Sequence, residues 1–194
     1  MKRLLASLLI LVAANAGAGT PPKGADVDAK RTPASSPLTI AQPAPPFQLR
    51  TIDGSLIRLD QIAYSGKEKS WAKKQPLLLD FFRTDCAPCR QAMPKLTELE
   101  ARYGKDGLKV IVVALLEPEE GREKLERYLA ELKPTFPVVI DEAEHWSKKY
   151  LGERVELPAM FLVDREGLVT FKSNGAKEGD ELSAAIARVL GKKS

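Results

Sequence analysis

The 194-residue chain holds two cysteines, and they stand together as Cys86-Ala87-Pro88-Cys89. Ahead of them runs Pro76-Leu77-Leu78-Leu79-Asp80-Phe81-Phe82, a short continuous apolar stretch of the kind that forms a buried strand. Behind them Met93, Leu96 and Leu99 share one helical face, which predicts a helix from Cys86 to about Tyr103. The pair therefore sits where a strand hands over to a helix N-terminus. The first N–H groups of a helix lack partners there, and the macrodipole adds about half a positive charge. A sulfur in that field is favoured as thiolate, the form that attacks disulfides. Two intervening residues keep the second sulfur within bonding reach across one turn. Pro88 gives up an N–H that would have had no intrahelical partner, and it fixes the turn. On this reading Cys86 is the exposed nucleophile and Cys89, further into the helix, resolves the mixed disulfide.

Other uses of the pair stay open on these residues alone. A structural disulfide is one, although closing so short a loop removes little chain entropy. A metal site is another, but zinc needs two further ligands and His145 is the single histidine. Soft thiolates suit Cu(I), with Met93 and Met160 as further soft ligands, so a copper-binding or delivery module is the alternative function.

The remaining pattern supplies the scaffold. Phe47–Thr51 and Leu56–Leu59, joined across Asp53-Gly54, predict a hairpin. Residues 65–75 are polar and lysine-rich, a solvated loop. Leu108–Leu116 and Pro137–Ile140 read as further buried strands, and Met160–Asp164 with Leu168–Lys172 as a hairpin around Arg165-Glu166-Gly167. Helices are expected over 119–133, 143–151 and 180–190, the first with Leu125, Tyr128, Leu129 and Leu132 on one face. Pro94 is expected to kink the helix that follows the cysteines. Strands alternating with helices argue an α/β sheet covered on both faces.

Composition narrows the rest. With 44% hydrophobic and 29% charged residues, the chain suits one domain with a real core and excludes collagen-like or wholly disordered classes. The net charge of +4 includes Lys2 and Arg3, so the remainder is nearly neutral and gives no warrant for nucleic-acid binding. Those two cations precede an apolar run from Leu4 to Ala14 and the small residues Ala16-Gly17-Ala18, the pattern of a secretory signal peptide over residues 1–18. Left uncleaved, the same run would be a membrane anchor. Residues 19–43 are rich in Pro and Ala and read as a flexible linker, with the domain over 44–194. The expected location is periplasmic or otherwise extracytoplasmic, where disulfides are chemically permitted.

The segment Leu79 to Pro94, with its Cys-Ala-Pro-Cys and a proline five residues beyond Cys89, resembles the active-site segment of thioredoxin-fold proteins. In particular it is similar to the exported TlpA/ResA-like thiol–disulfide oxidoreductases. The resemblance takes in Pro45-Pro46-Phe47-Gln48-Leu49 upstream and Leu157-Pro158-Ala159-Met160-Phe161 downstream, and covers about residues 44 to 192. It implies a thioredoxin-like α/β fold, with a central mixed sheet flanked by helices and an added N-terminal β-hairpin. It also implies that Pro158 is a cis-proline facing the cysteines, and that Leu157 and Pro88 border the bound substrate. Asp80, six residues before Cys86, matches a buried aspartate that takes the Cys89 proton during resolution. Lodged in an apolar strand, its charged form is disfavoured and its pKa is expected to rise.

Departures from that family's pattern carry their own expectations. Asp85 stands where the family usually has tryptophan, and its charge is expected to raise the Cys86 pKa and favour reduction, with Arg83 and Arg90 opposing it. Ala92 and Ala159 stand where members often carry glutamates, which removes the warrant for a cytochrome-specific role. Arg83, three residues before Cys86, stands where a peroxidase would have threonine. The expected function is reduction of disulfides in other exported proteins. No cofactor beyond the Cys86–Cys89 disulfide and no metal are called for. One cysteine pair cannot relay electrons internally, so the resemblance implies a membrane thiol reductant as recharging partner.

Overall fold

The computed structural model describes residues 37–62, 74–119, 121–174 and 180–192. The leader expected over 1–18, the linker up to residue 36 and most of the lysine-rich loop lie outside them. Strand β3 (Leu77–Phe82) is buried at all six positions, as a strand covered on both faces must be. It lies parallel to β4 (Lys109–Ala114), and β4 parallel to β5 (Val138–Ile140). On its other side β3 pairs antiparallel with β6 (Ala159–Val163), which forms a hairpin with β7 (Val169–Asn174). The hairpin β1 (Gln48–Thr51) and β2 (Leu56–Arg58) is added antiparallel to β5. One mixed seven-stranded sheet results, in the order β2-β1-β5-β4-β3-β6-β7.

Alternation along the strands divides the core. Leu78, Phe82, Val112 and Met160 face a layer built from α2 (Ala87–Tyr103), α3 (Gly121–Leu132) and α5 (Asp180–Val189). Leu79, Phe81, Val113 and Phe161 face α4 (His145–Leu151) and the one-turn helix α1 (Leu59–Ile62). The expected elements are present, their ends shifted by at most two residues, with β6 starting one residue earlier and β7 ending two residues later than expected. Helix α2 runs unbroken through Pro94, which is exposed. Residues 37–43, expected to be the end of the linker, are packed against the domain. Leu38 is buried and donates its N–H to the Tyr150 carbonyl (2.8 Å), and Ala41 donates to Val169 (2.8 Å). Backbone bonding and one apolar side chain outweigh the proline content there. Among the described residues no helix is long and apolar enough to cross a membrane.

Candidate functional site: a disulfide at the α2 N-terminus

At the carboxyl end of β3 the chain makes a tight turn, with Cys86 donating its N–H to the Arg83 carbonyl (3.2 Å). Cys86 then caps α2 with extended backbone (φ −88°, ψ 101°), and Pro88 falls in the first turn. The two sulfurs are bonded to each other, with the Cα atoms 5.3 Å apart. Cys89 also donates its backbone N–H to the Cys86 sulfur (3.2 Å). That donor is one of the orphan N–H groups of the helix start, and it can hold a thiolate as readily as a bonded sulfur. The two cysteines differ sharply in access. Cys86 is half-buried; Cys89 is fully buried against the core.

The other sequence-derived candidates gather around this turn. The Leu157–Pro158 peptide is cis and leads into β6, where Ala159 pairs with Phe81 at the carboxyl end of β3. Leu157 is half-buried and packs against both core layers, while Pro88 is exposed. Asp80 is fully buried. By strand alternation it shares the sheet face of Leu78 and Phe82, the face that packs on Cys89, and it is flanked across the sheet by Val112 and Met160. Asp85 is exposed and ion-paired with Arg83 (Nε–Oδ1 3.2 Å). The expected effect of Asp85 on Cys86 is therefore that of a paired, solvent-screened charge.

Two residues beside the pair were not singled out by the sequence. Tyr128 of α3 stacks on Phe82 with ring centroids 5.5 Å apart, and Arg90 stands 5.9 Å over the same ring. Burial pushes the Tyr128 hydroxyl up; the Asp80 and Glu131 charges add to this and Arg90 opposes it. Glu117, between β4 and α3, accepts hydrogen bonds from the Thr84 hydroxyl and from the backbone N–H of Asp85 (3.0 Å). Burial pushes its carboxyl up, but these bonds and the Lys124 charge outweigh it and hold the group below the usual carboxylate range. His145 is exposed, set edge-on to Trp146 (5.0 Å). Among the described residues no group of three or more His, Cys, Asp or Glu is placed to hold a metal.

Paired sulfurs at a helix start over a mixed sheet of this strand order make the chain a thioredoxin-fold thiol–disulfide oxidoreductase. It belongs to the AhpC/TSA family, whose model matches residues 40–172. It is 32% identical over 133 residues to the thiol-disulfide oxidoreductase ResA of Geobacillus thermodenitrificans, covering 68% of this chain and 67% of that protein. The sporulation thiol-disulfide oxidoreductase A of Bacillus subtilis is 26% identical over 143 residues, 73% of this chain and 79% of that one. Among solved structures, a DsbE-like thiol:disulfide interchange protein from Chlorobium tepidum superposes with a TM-score of 0.65 at 27% identity, covering 79% of this chain and 99% of that one.

Proposed function

We propose that this chain is exported and reduces disulfides in other exported proteins, with Cys86 attacking and Cys89 resolving. The observation that carries the reading is the unequal access of the two sulfurs at the α2 N-terminus, one half-exposed and one fully buried. The Cys86 thiolate attacks a substrate sulfur, forming a mixed disulfide and releasing the other substrate sulfur as a thiolate. Cys89 then gives up its proton to Asp80 and attacks Cys86. The Cys86–substrate bond breaks, and the substrate leaves with both sulfurs reduced. The protein is left oxidised, in the bonded state seen here. Leu157 and Pro158 line the substrate's approach from β6, and Pro88 borders it from α2. The chain holds no second cysteine pair, so a membrane thiol reductant restores the dithiol. Residues 1–18 direct export, and the proline-rich segment up to residue 36 tethers the domain.

Direction is tested by potential. Equilibration with glutathione or dithiothreitol should place the couple nearer to thioredoxin, about −270 mV, than to the oxidant DsbA, about −120 mV. A value at the DsbA end overturns the reductant role. The Arg83–Asp85 pair makes a finer adjustment to the same quantity. Asp85→Asn leaves Arg83 uncompensated and should lower the Cys86 pKa, and Arg83→Gln should raise it. Because both side chains are well exposed, each shift is expected to stay below about one pK unit, or about 30 mV for this two-electron couple. Thiolate absorbance against pH reads the pKa directly. Shifts of the same sign in both variants would remove the pair from the tuning of Cys86.

A further inference from the structure

The turn Arg83–Cys86 delivers the nucleophile, and its two middle residues are both held from outside the turn. Thr84 donates its hydroxyl and Asp85 its backbone N–H to one oxygen of Glu117, a residue more than thirty positions further along the chain. The other Glu117 oxygen is buried with no hydrogen-bond partner among the described residues. Pro118 follows Glu117, which biases the glutamate to an extended backbone and carries the β4 direction past the strand's end. Two residues earlier, Leu115 donates its N–H to the Phe82 carbonyl (2.9 Å), just past the last β3–β4 pair, Phe82 with Ala114. The β4–α3 connection thus runs alongside the turn, and its glutamate closes on the turn's apex.

We infer that Glu117 is a positioning residue for thiol–disulfide exchange, clamping the Thr84–Asp85 turn so that the Cys86 sulfur is presented to the free N–H groups of α2. This rests on the reading of Cys86 as nucleophile and adds the part that fixes its approach. Cys86 has one backbone bond to the turn and its sulfur one bond to the helix start. Both depend on where the turn lies. The family usually places a large tryptophan immediately before the first cysteine; this chain places an exposed aspartate there. A carboxylate from the next loop takes hold of the same backbone position. The bonds from the turn help hold the carboxyl below its usual range, and the clamp itself needs only the acceptor oxygen.

Geometry and charge predict different results, which makes the role testable. Glu117→Ala removes the acceptor and should slow alkylation of reduced Cys86 by iodoacetamide at pH 7 about five- to tenfold, with a more negative reduction potential as the thiolate loses its support. Glu117→Gln keeps an oxygen for the Asp85 N–H but not the charge, and should react within twofold of the parent. Thr84→Val removes one of the two bonds and should slow alkylation about twofold, yet add nothing in the Glu117→Ala background. Should the alanine variant not fold, Thr84→Val carries the test, and alkylation at the parent rate in that variant overturns the clamp. Alkylation unchanged in Glu117→Ala, or accelerated equally in Ala and Gln, overturns the clamp. The two readings fail separately. A parent protein that cannot reduce insulin fails the proposed function, whereas a parent that reduces insulin beside an unimpaired Glu117→Ala fails this inference alone.

Discussion

Replacing Cys89 by alanine is expected to trap a covalent complex in which the substrate stays bonded to Cys86, while Cys86→Ala traps none. Access is the first reason, since a large disulfide partner can reach the half-exposed sulfur but not the buried one. Thiolate chemistry is the second. A free cysteine with a pKa of about 8.5 is only about 3% thiolate at pH 7. Each unit by which the helix start lowers that pKa raises the thiolate fraction about tenfold. The anion's intrinsic nucleophilicity falls about threefold per unit, so the net gain is about threefold until the pKa meets the pH. Cys89 has no such gain, because apolar burial acts against its thiolate. Iodoacetamide should therefore label Cys86 in the reduced protein at least tenfold faster than Cys89. Mass spectrometry of the trapped species would name the substrate. Equal trapping by both variants, or faster labelling of Cys89, would reverse the assignment of roles.

How much of this site could be read from the chain depends on how local its causes are. Strand β3 and the periodic face of α2 announce themselves within about ten residues each, and the cysteine pair lies at their junction. The position of Cys86 as helix cap follows from that junction alone. The one-turn helix Leu59–Ile62 is too short for any periodicity to register. Leu38 is buried in a stretch whose prolines argue against order, because its partner Tyr150 lies more than a hundred positions further along the chain. Glu117 was hidden for a similar reason. In Glu117-Pro118-Glu119-Glu120 it looks like one acidic residue among several before a helix, and only pairing of β3 with β4 brings it to the Thr84–Asp85 turn. Asp85 shows the converse. The sequence already set Arg83 and Arg90 against its charge, and the structure pairs it with Arg83, two residues back.

Asp80→Asn is expected to slow resolution of the mixed disulfide about a hundredfold while leaving the initial attack by Cys86 nearly unchanged. Cys89 must lose a proton before it can displace the substrate, and its fully buried sulfur has little contact with bulk water. A carboxylate on the same sheet face offers an acceptor at that depth. Leu78 and Phe82, the residues two before and two after Asp80, both pack into the layer that contains Cys89. Burial works against the ionised carboxylate in that strand, which is the reason for expecting Asp80 to take up the proton. Asparagine keeps the shape and cannot take the proton, and general-base contributions of this kind run from about 100- to 10,000-fold. The thermal midpoint of the variant, measured alongside, separates the kinetic loss from damage to the fold. Stopped-flow measurement of substrate release from the mixed disulfide between pH 6 and 9 reads the resolving step alone. If the asparagine protein releases substrate as fast as the parent across that range, Cys89 is deprotonated by another route and Asp80 has no part in it.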